Sequence, residues 1–124
     1  MNLSGTATAM MDRWERLRIP AGFRSIIEER YGREVFVTSA DLKSVLVYPL
    51  EEWHVIMERA GEKERENPEL MRFGRITAYH GKKSRMDNHG RVLIHKSLRS
   101  KTNLGGKIFI EGLENHLVLK KIFS

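Results

Sequence analysis

MDRWERLRIPAGFR, residues 11–24, is written a second time, with changes, as MDNHGRVLIHKSLR at residues 86–99. At this offset of 75, Met11/Met86, Asp12/Asp87, Arg16/Arg91, Ile19/Ile94 and Arg24/Arg99 are identical, and Leu17/Val92 and Phe23/Leu98 are conservative pairs. So many matches in 14 positions mark an internal repeat, the feature that dictates architecture before any element is assigned. Further on, YGREVFV at 31–37 matches LGGKIFI at 104–110 at an offset of 73, and Leu46/Leu119 keep that register. The chain therefore reads as a first repeat over 1–50, a linker over 51–75 and a second repeat over 76–124.

Each repeat has the same order: strand, strand, helix, strand, strand. Residues 3–10 and 76–84 are the first strands, followed by polar turns holding Asp12 or Asp87. Arg16–Ile19 and Arg91–Ile94 alternate charged or small with branched apolar residues, the pattern of a half-buried strand. Pro20 opens a helix at its first position, Phe23, Ile26 and Ile27 give it an apolar face, and Gly32 ends it as a left-handed cap, a part Gly105 plays in the second copy. Strands are expected at Glu34–Thr38, Ser44–Tyr48, Lys107–Glu111 and His116–Lys120, joined in pairs by turns at Asp41–Lys43 and Glu114–Asn115. In the linker, Leu50, Trp53, Ile56, Met57 and Ala60 form one amphipathic helix that Gly61 ends, with Trp53 in the core. Asn67-Pro68-Glu69 starts a second helix with Leu70, Met71 and Phe73 as its buried face, and GEKEREN is the solvated connector between them.

The composition bounds the function. In 124 residues there is no Cys, which excludes structural disulfides, thiolate zinc sites and cysteine nucleophiles. Lys and Arg number 22 against 16 Asp and Glu, a net charge of +6. It is unevenly spread: +2 over residues 1–33, −5 over 34–70 and +9 over 71–124. Basic flanks of this kind suit a polyanion, because each Lys or Arg set on a phosphate releases a condensed counterion. The acidic middle reads as helix surface. The start, MNLSGTATAMMDRW, lacks a basic region followed by a long apolar run, and no stretch approaches 18 apolar residues, so a cytoplasmic protein that does not enter a membrane is expected.

At the repeated turn the chain resembles the MraZ family, transcriptional regulators found at the head of bacterial division and cell-wall gene clusters. The family carries Asp-x-x-Gly-Arg in each half; Asp87-Asn88-His89-Gly90-Arg91 matches it fully, and Asp12-Arg13-Trp14-Glu15-Arg16 matches except for Glu15. Leu3-Ser4-Gly5, Ile19-Pro20, Tyr48-Pro49-Leu50 with Glu52-Trp53, and Asn67-Pro68 before Arg72 and Arg75 also look like this family. The resemblance implies a mainly β fold with short α-helices: two tandem AbrB/SpoVT-type swapped-hairpin units forming a double-split β-pseudobarrel, with a helical linker. It implies further a ring-like homo-oligomer that presents the turns to repeated promoter boxes on double-stranded DNA, associated with the nucleoid. Arg16 and Arg91 take the positions of the family's DNA-contacting arginines.

The residues themselves make a physical case. An arginine at the first position of a strand projects from a rigid support and can make two parallel bonds to guanine O6 and N7. Arg13, Arg18 and Arg24 in one copy and Lys82, Lys83, Arg85 and Arg99 in the other would hold phosphates and set register. Alternatively Arg16 and Arg91 pair with Asp12 and Asp87 to staple the turns, and both roles hold if the aspartate orients the arginine. Asp12, Asp87 and Gly90 are assigned to turn geometry. Glu15 replaces a glycine that would admit a positive backbone angle and a close phosphate, and its charge repels phosphate unless it turns away or pairs with Arg13 or Arg18. Lys82-Lys83-Ser84-Arg85 reads equally as a charged strand edge. Gly105-Gly106-Lys107 reads as a helix-ending turn and not as a phosphate nest. Trp14 sits in the turn, either exposed and able to stack on sugar or base or, the preferred reading, packed on the neighbouring hairpin. His54, His80, His89, His95 and His116 show no metal-ligand spacing, and no nucleophile or dinucleotide fingerprint is present, so no enzyme, metal, cofactor or small-molecule substrate is expected. An RNA-binding module, or an oligomeric interaction protein that has lost specific DNA binding, are the competing readings.

Overall fold

Apolar residues at every second position, on both sides of a tight polar turn, fold the end of each repeat into a hairpin, and each hairpin takes its outer strand from the other repeat. The computed structural model describes residues 2–62 and 66–122. In chain order the elements are β1 (Gly5–Met10), β2 (Arg16–Arg18), α1 (Ala21–Tyr31), β3 (Glu34–Thr38), β4 (Val45–Pro49) and α2 (Leu50–Glu62). They continue with α3 (Pro68–His80), β5 (Lys82–Arg85), β6 (Arg91–Leu93), α4 (Lys96–Thr102), β7 (Lys107–Leu113) and β8 (His116–Lys121). One antiparallel sheet has the order β1-β7-β8-β4-β3-β5, and β2 and β6 pair as a separate ribbon. Exchange of the repeats maps this order onto itself. β1 lies on the second repeat's β7, with Gly5 opposite Gly112, and β5 lies on the first repeat's β3, with Val35 opposite Ser84. The hairpins meet through β4 and β8, Leu46 opposite Val118.

The ribbon closes over the inner face of this sheet. Leu17 and Val92 face each other at its centre, both fully buried. Beneath them lie Val35, Val37, Val45, Val47, Ile108, Ile110, Leu117 and Leu119, with Phe23 and Ile27 of α1 and Leu98 of α4 at the flanks. A single bridge, Met11 to Leu17, ties β1 to β2, so the barrel is split and not closed among the described residues. Burial of one such aliphatic side chain is worth about 1.5–3 kcal/mol, and this cluster draws equally on both repeats.

The outer face of the sheet is covered on one side only. Trp53 of α2 stacks on Phe36 with ring centroids 4.0 Å apart, joined by Leu46, Tyr48 and Val118. Burial pushes the Tyr48 hydroxyl up to about 12 and holds the His116 ring stacked on it below its ordinary value. α3 crosses α2 where Gly74 meets Ala60; a methyl on Gly74 would lie 3.1 Å from the Ala60 Cβ. Asn67 caps α3 through its side-chain oxygen, which accepts from the Leu70 N–H at 3.0 Å. Phe109, the repeat mate of Phe36, has no such cover and is 37% exposed.

Several expected boundaries move. Residues 76–80 are helix, not strand: α3 runs on to His80 because Thr77 is buried against the sheet, its carbonyl accepting from Thr38 Oγ1 at 2.6 Å. The first strand of the second repeat is therefore confined to Lys82–Arg85. The buried residues of α3 are Gly74 and Thr77, while Leu70, Met71 and Phe73 are half-buried. Pro20 is the residue before α1, not its first, and Gly61 lies inside α2. Gly32 does take a positive φ, 92°, and its N–H bonds the Ile27 and Glu28 carbonyls, but its ψ of −155° is not that of a left-handed cap. α4 is ended by Asn103 in the left-handed conformation, and Gly105 has no such role. In the connector GEKEREN, Gly61 and Glu62 belong to α2, and 63–65 lie outside the described residues.

Candidate nucleic-acid interface

The two Asp-to-Arg turns are built by the same set of bonds. In each, the Asp Oδ1 accepts from the N–H two residues on (Trp14 or His89, 2.8 Å) and four residues on (Arg16 or Arg91, 2.9 Å). The Asp carbonyl accepts from the N–H of Glu15 or Gly90 at 3.0 Å, and the Asp N–H donates to the carbonyl of Arg16 or Arg91. These backbone donors, led by that of the arginine, hold Asp12 below its usual carboxylate range and Asp87 well below it. A turn closed this way requires a positive φ at its fourth residue. Gly90 has 74°, and Glu15, without glycine's freedom, has 67°.

The turns stand together because β2 and β6 pair antiparallel, Arg16 opposite Leu93 and Arg18 opposite Arg91. With Leu17 and Val92 pointing into the core, Arg16, Arg18, Arg91 and Leu93 form the outer face of the ribbon. Arg91 Nε donates to Asp87 Oδ2 at 2.8 Å, a bond that does not use the Nη pair of the guanidinium. Arg16 is held more loosely: its Nη1 reaches across to Asp87 Oδ2 at 3.5 Å, and its buried Nε, 3.5 Å from Asp12 Oδ2, makes no hydrogen bond. Both side chains are just under a third exposed. The arginines are thus both stapled by carboxylates and presented outward.

The flanking basic residues are distributed differently from the sequence expectation. Arg24, counted with the first turn, braces the second: its Nη2 donates to the Asn88 carbonyl at 2.8 Å, its Nε pairs with Glu28, and its Cδ would lie 2.6 Å from a Cβ on Gly90. Arg99, counted with the second turn, braces the first: its Nε donates to the Ile94 carbonyl at 2.8 Å and its Nη2 pairs with Glu15. Glu15 pairs with Arg99, and not with Arg13 or Arg18. The repeat alone conceals this exchange, because it aligns Arg24 with Arg99 without saying which turn either touches. Arg13 lies over the Trp14 ring, 4.3 Å from its centroid, and Trp14 is 55% exposed, so it is not packed on a hairpin.

The densest basic run does not converge on the turns as a group. Lys83 and Arg85 stand opposite Phe36 and Glu34, on the face that carries the helix pair, where Arg85 and Glu34 form an exposed ion pair at 3.7 Å. Lys82 is opposite Val37 and exposed. Its charge bears on His95 at the start of α4; burial first, and then Lys82, Arg99 and Lys101, hold that imidazole below its ordinary value although it donates to the His80 carbonyl at 3.1 Å. Sequence reading missed Tyr79, exposed at the end of α3 with the Lys101 ammonium 5.6 Å from its ring. Among the described residues, no group of three or more His, Asp or Glu could hold a metal ion, and no helix is long and apolar enough to cross a membrane.

This fold and site define a tandem swapped-hairpin protein whose two arginine-tipped turns share one ribbon. Residues 3–76 match the family model described as "MraZ protein, putative antitoxin-like". The chain is 33% identical over 113 residues to the transcriptional regulator MraZ of Acidobacterium capsulatum, a span of 91% of this chain and 77% of the relative. It is 31% identical over 116 residues to that of Neisseria meningitidis, covering 93% and 77%, and 32% identical over 117 residues to that of Shewanella denitrificans, covering 93% and 76%. The chain belongs to the MraZ family.

Proposed function

We propose that this protein is a sequence-specific DNA-binding transcriptional regulator that uses the ribbon turns on short repeated promoter boxes, as a multivalent homo-oligomer in the cytoplasm, on the nucleoid. The observation that carries the reading is the pair of turns closed by the same backbone bonds, each with an arginine beside an aspartate and still partly open to solvent. The relatives' name, transcriptional regulator, supports it. Arg91 and Arg16 are the base-reading candidates; Arg18 and Arg13 beside them, with Lys82 further along β5, are candidates for phosphate. One turn reads few bases, so useful specificity comes from several tethered copies whose local concentration multiplies weak contacts. Regulation of a division and cell-wall gene cluster is part of the same reading.

The test is selection of bound duplexes from random-sequence DNA by the wild-type protein. Enrichment of spaced repeats of one short box is expected. Preference for single-stranded RNA would favour the RNA-binding reading, and no enrichment with salt-sensitive binding to every duplex would reduce the basic surface to general polyanion attraction.

A further inference from the structure

We propose that the two turns are unequal readers: the second turn, Asp87–Arg91, makes the principal base contacts, and Glu15 holds the first turn back and gives the ribbon a direction along DNA. The inference rests on the DNA-binding reading above and concerns how that site is divided. The backbones of the turns are equivalent, bond for bond, so any difference between them lies in side chains. At the fourth residue the second turn carries no side chain and no charge of its own: Gly90 is buried beneath Arg24, which is held by the Asn88 carbonyl and Glu28. The first turn offers a carboxylate 51% exposed, whose partner Arg99 is itself only 14% exposed and thereby withdrawn from solvent and from any phosphate.

The ribbon face repeats the bias. Arg91 has Arg18 directly across from it, two cations at one end. Arg16 has Leu93 across from it, so on the ribbon itself its end carries one cation and an exposed leucine; in the adjoining turn Arg13 lies over the Trp14 ring and Glu15 adds a carboxylate. Arg91 is oriented by a 2.8 Å bond to Asp87, whereas the nearest carboxylate oxygens to Arg16 lie at 3.5 Å. A fork that is already oriented loses less freedom on meeting guanine. Three independent features, the turn side chain, the opposing ribbon residue and the arginine's own anchor, therefore favour the same turn.

The experiment measures affinity for a duplex enriched from random DNA, using the full chain as wild type, Arg16→Ala, Arg91→Ala, Glu15→Gly, Glu15→Gln and the Arg16→Ala/Glu15→Gly double variant. Arg91→Ala should weaken binding about tenfold or more, and the wild-type loss on Arg16→Ala should be at least about fivefold smaller than that. Glu15→Gly, which suits the positive φ and so keeps the turn, should tighten binding and make the loss on Arg16→Ala approach that on Arg91→Ala. Glu15→Gln keeps the side chain without its charge and should tighten binding less. Equal losses from Arg16→Ala and Arg91→Ala in wild type, or no gain from Glu15→Gly and Glu15→Gln, would overturn the inference while leaving the regulator reading intact. No loss from either arginine would bring down both.

Discussion

At the scale of the residue, the site depends on Asp87 and Asp12 as carboxylates. Because backbone N–H groups and the arginines lower their folded values, each adds stability that is fully present above the ordinary carboxylate range near pH 4 and is lost as pH falls through the folded value. The urea midpoint should therefore fall on acidification below about pH 5, beyond a decline that begins near pH 6.5, where His95 and His116, held below their ordinary value by burial, are protonated first in the unfolded chain. Asp87→Ala should lower it at pH 7 and flatten the acid limb; an unchanged acid limb would contradict the turn's construction. The aspartates and arginines were legible in the sequence because the duplication repeats them. Glu15 was legible as a departure, but its positive φ and its bond to Arg99 were not: propensity argues against a left-handed glutamate, at about 1–2 kcal/mol. Only the closed hydrogen bonds of the turn enforce that conformation.

At the scale of the element, α2 is held by one aromatic stack more than by its own helix propensity. Trp53→Ala removes the ring lying on Phe36 and should cost about 3–5 kcal/mol in chemical denaturation, the range for large aromatic truncations in a core; a loss below about 1 kcal/mol would show that α2 is not packed as described. The hairpin strands were readable almost to the residue, since alternation and polar turns are local signals. α3 was not. Ile76, Thr77 and Tyr79 carry β-branched and aromatic side chains that favour a strand in isolation. Tertiary contacts reverse that preference, as Thr77 bonds the Phe73 carbonyl within the helix and receives Thr38 from the sheet.

At the scale of the molecule, the exchange of β1 and β5 between repeats makes the duplication a single cooperative unit. Neither repeat owns a complete sheet edge: β1 has no partner without β7, and β5 none without β3. Calorimetry should show one unfolding transition with equal calorimetric and van't Hoff enthalpies, and two separable transitions would contradict the interleaved core. Residues and spacing reveal that there are two copies. They do not reveal that the copies trade strands and arginines, because an internal repeat is indifferent to which copy pairs with which; the family resemblance supplied the strand exchange, and the structure the crossed bracing by Arg24 and Arg99. The covering of Phe36 by α2, against the exposed Phe109, breaks the symmetry in the sheet as Glu15 breaks it in the turns. The central claim is that sequence is read at the ribbon turns, and the most direct measurement is the affinity of wild type and Arg91→Ala for an enriched duplex and for its shuffled counterpart at two salt concentrations. The account predicts that Arg91→Ala loses about 1–3 kcal/mol on the enriched duplex and little on the shuffled one at either salt. Equal losses on both duplexes would mean that Arg91 contributes charge and not base reading, and would contradict the account.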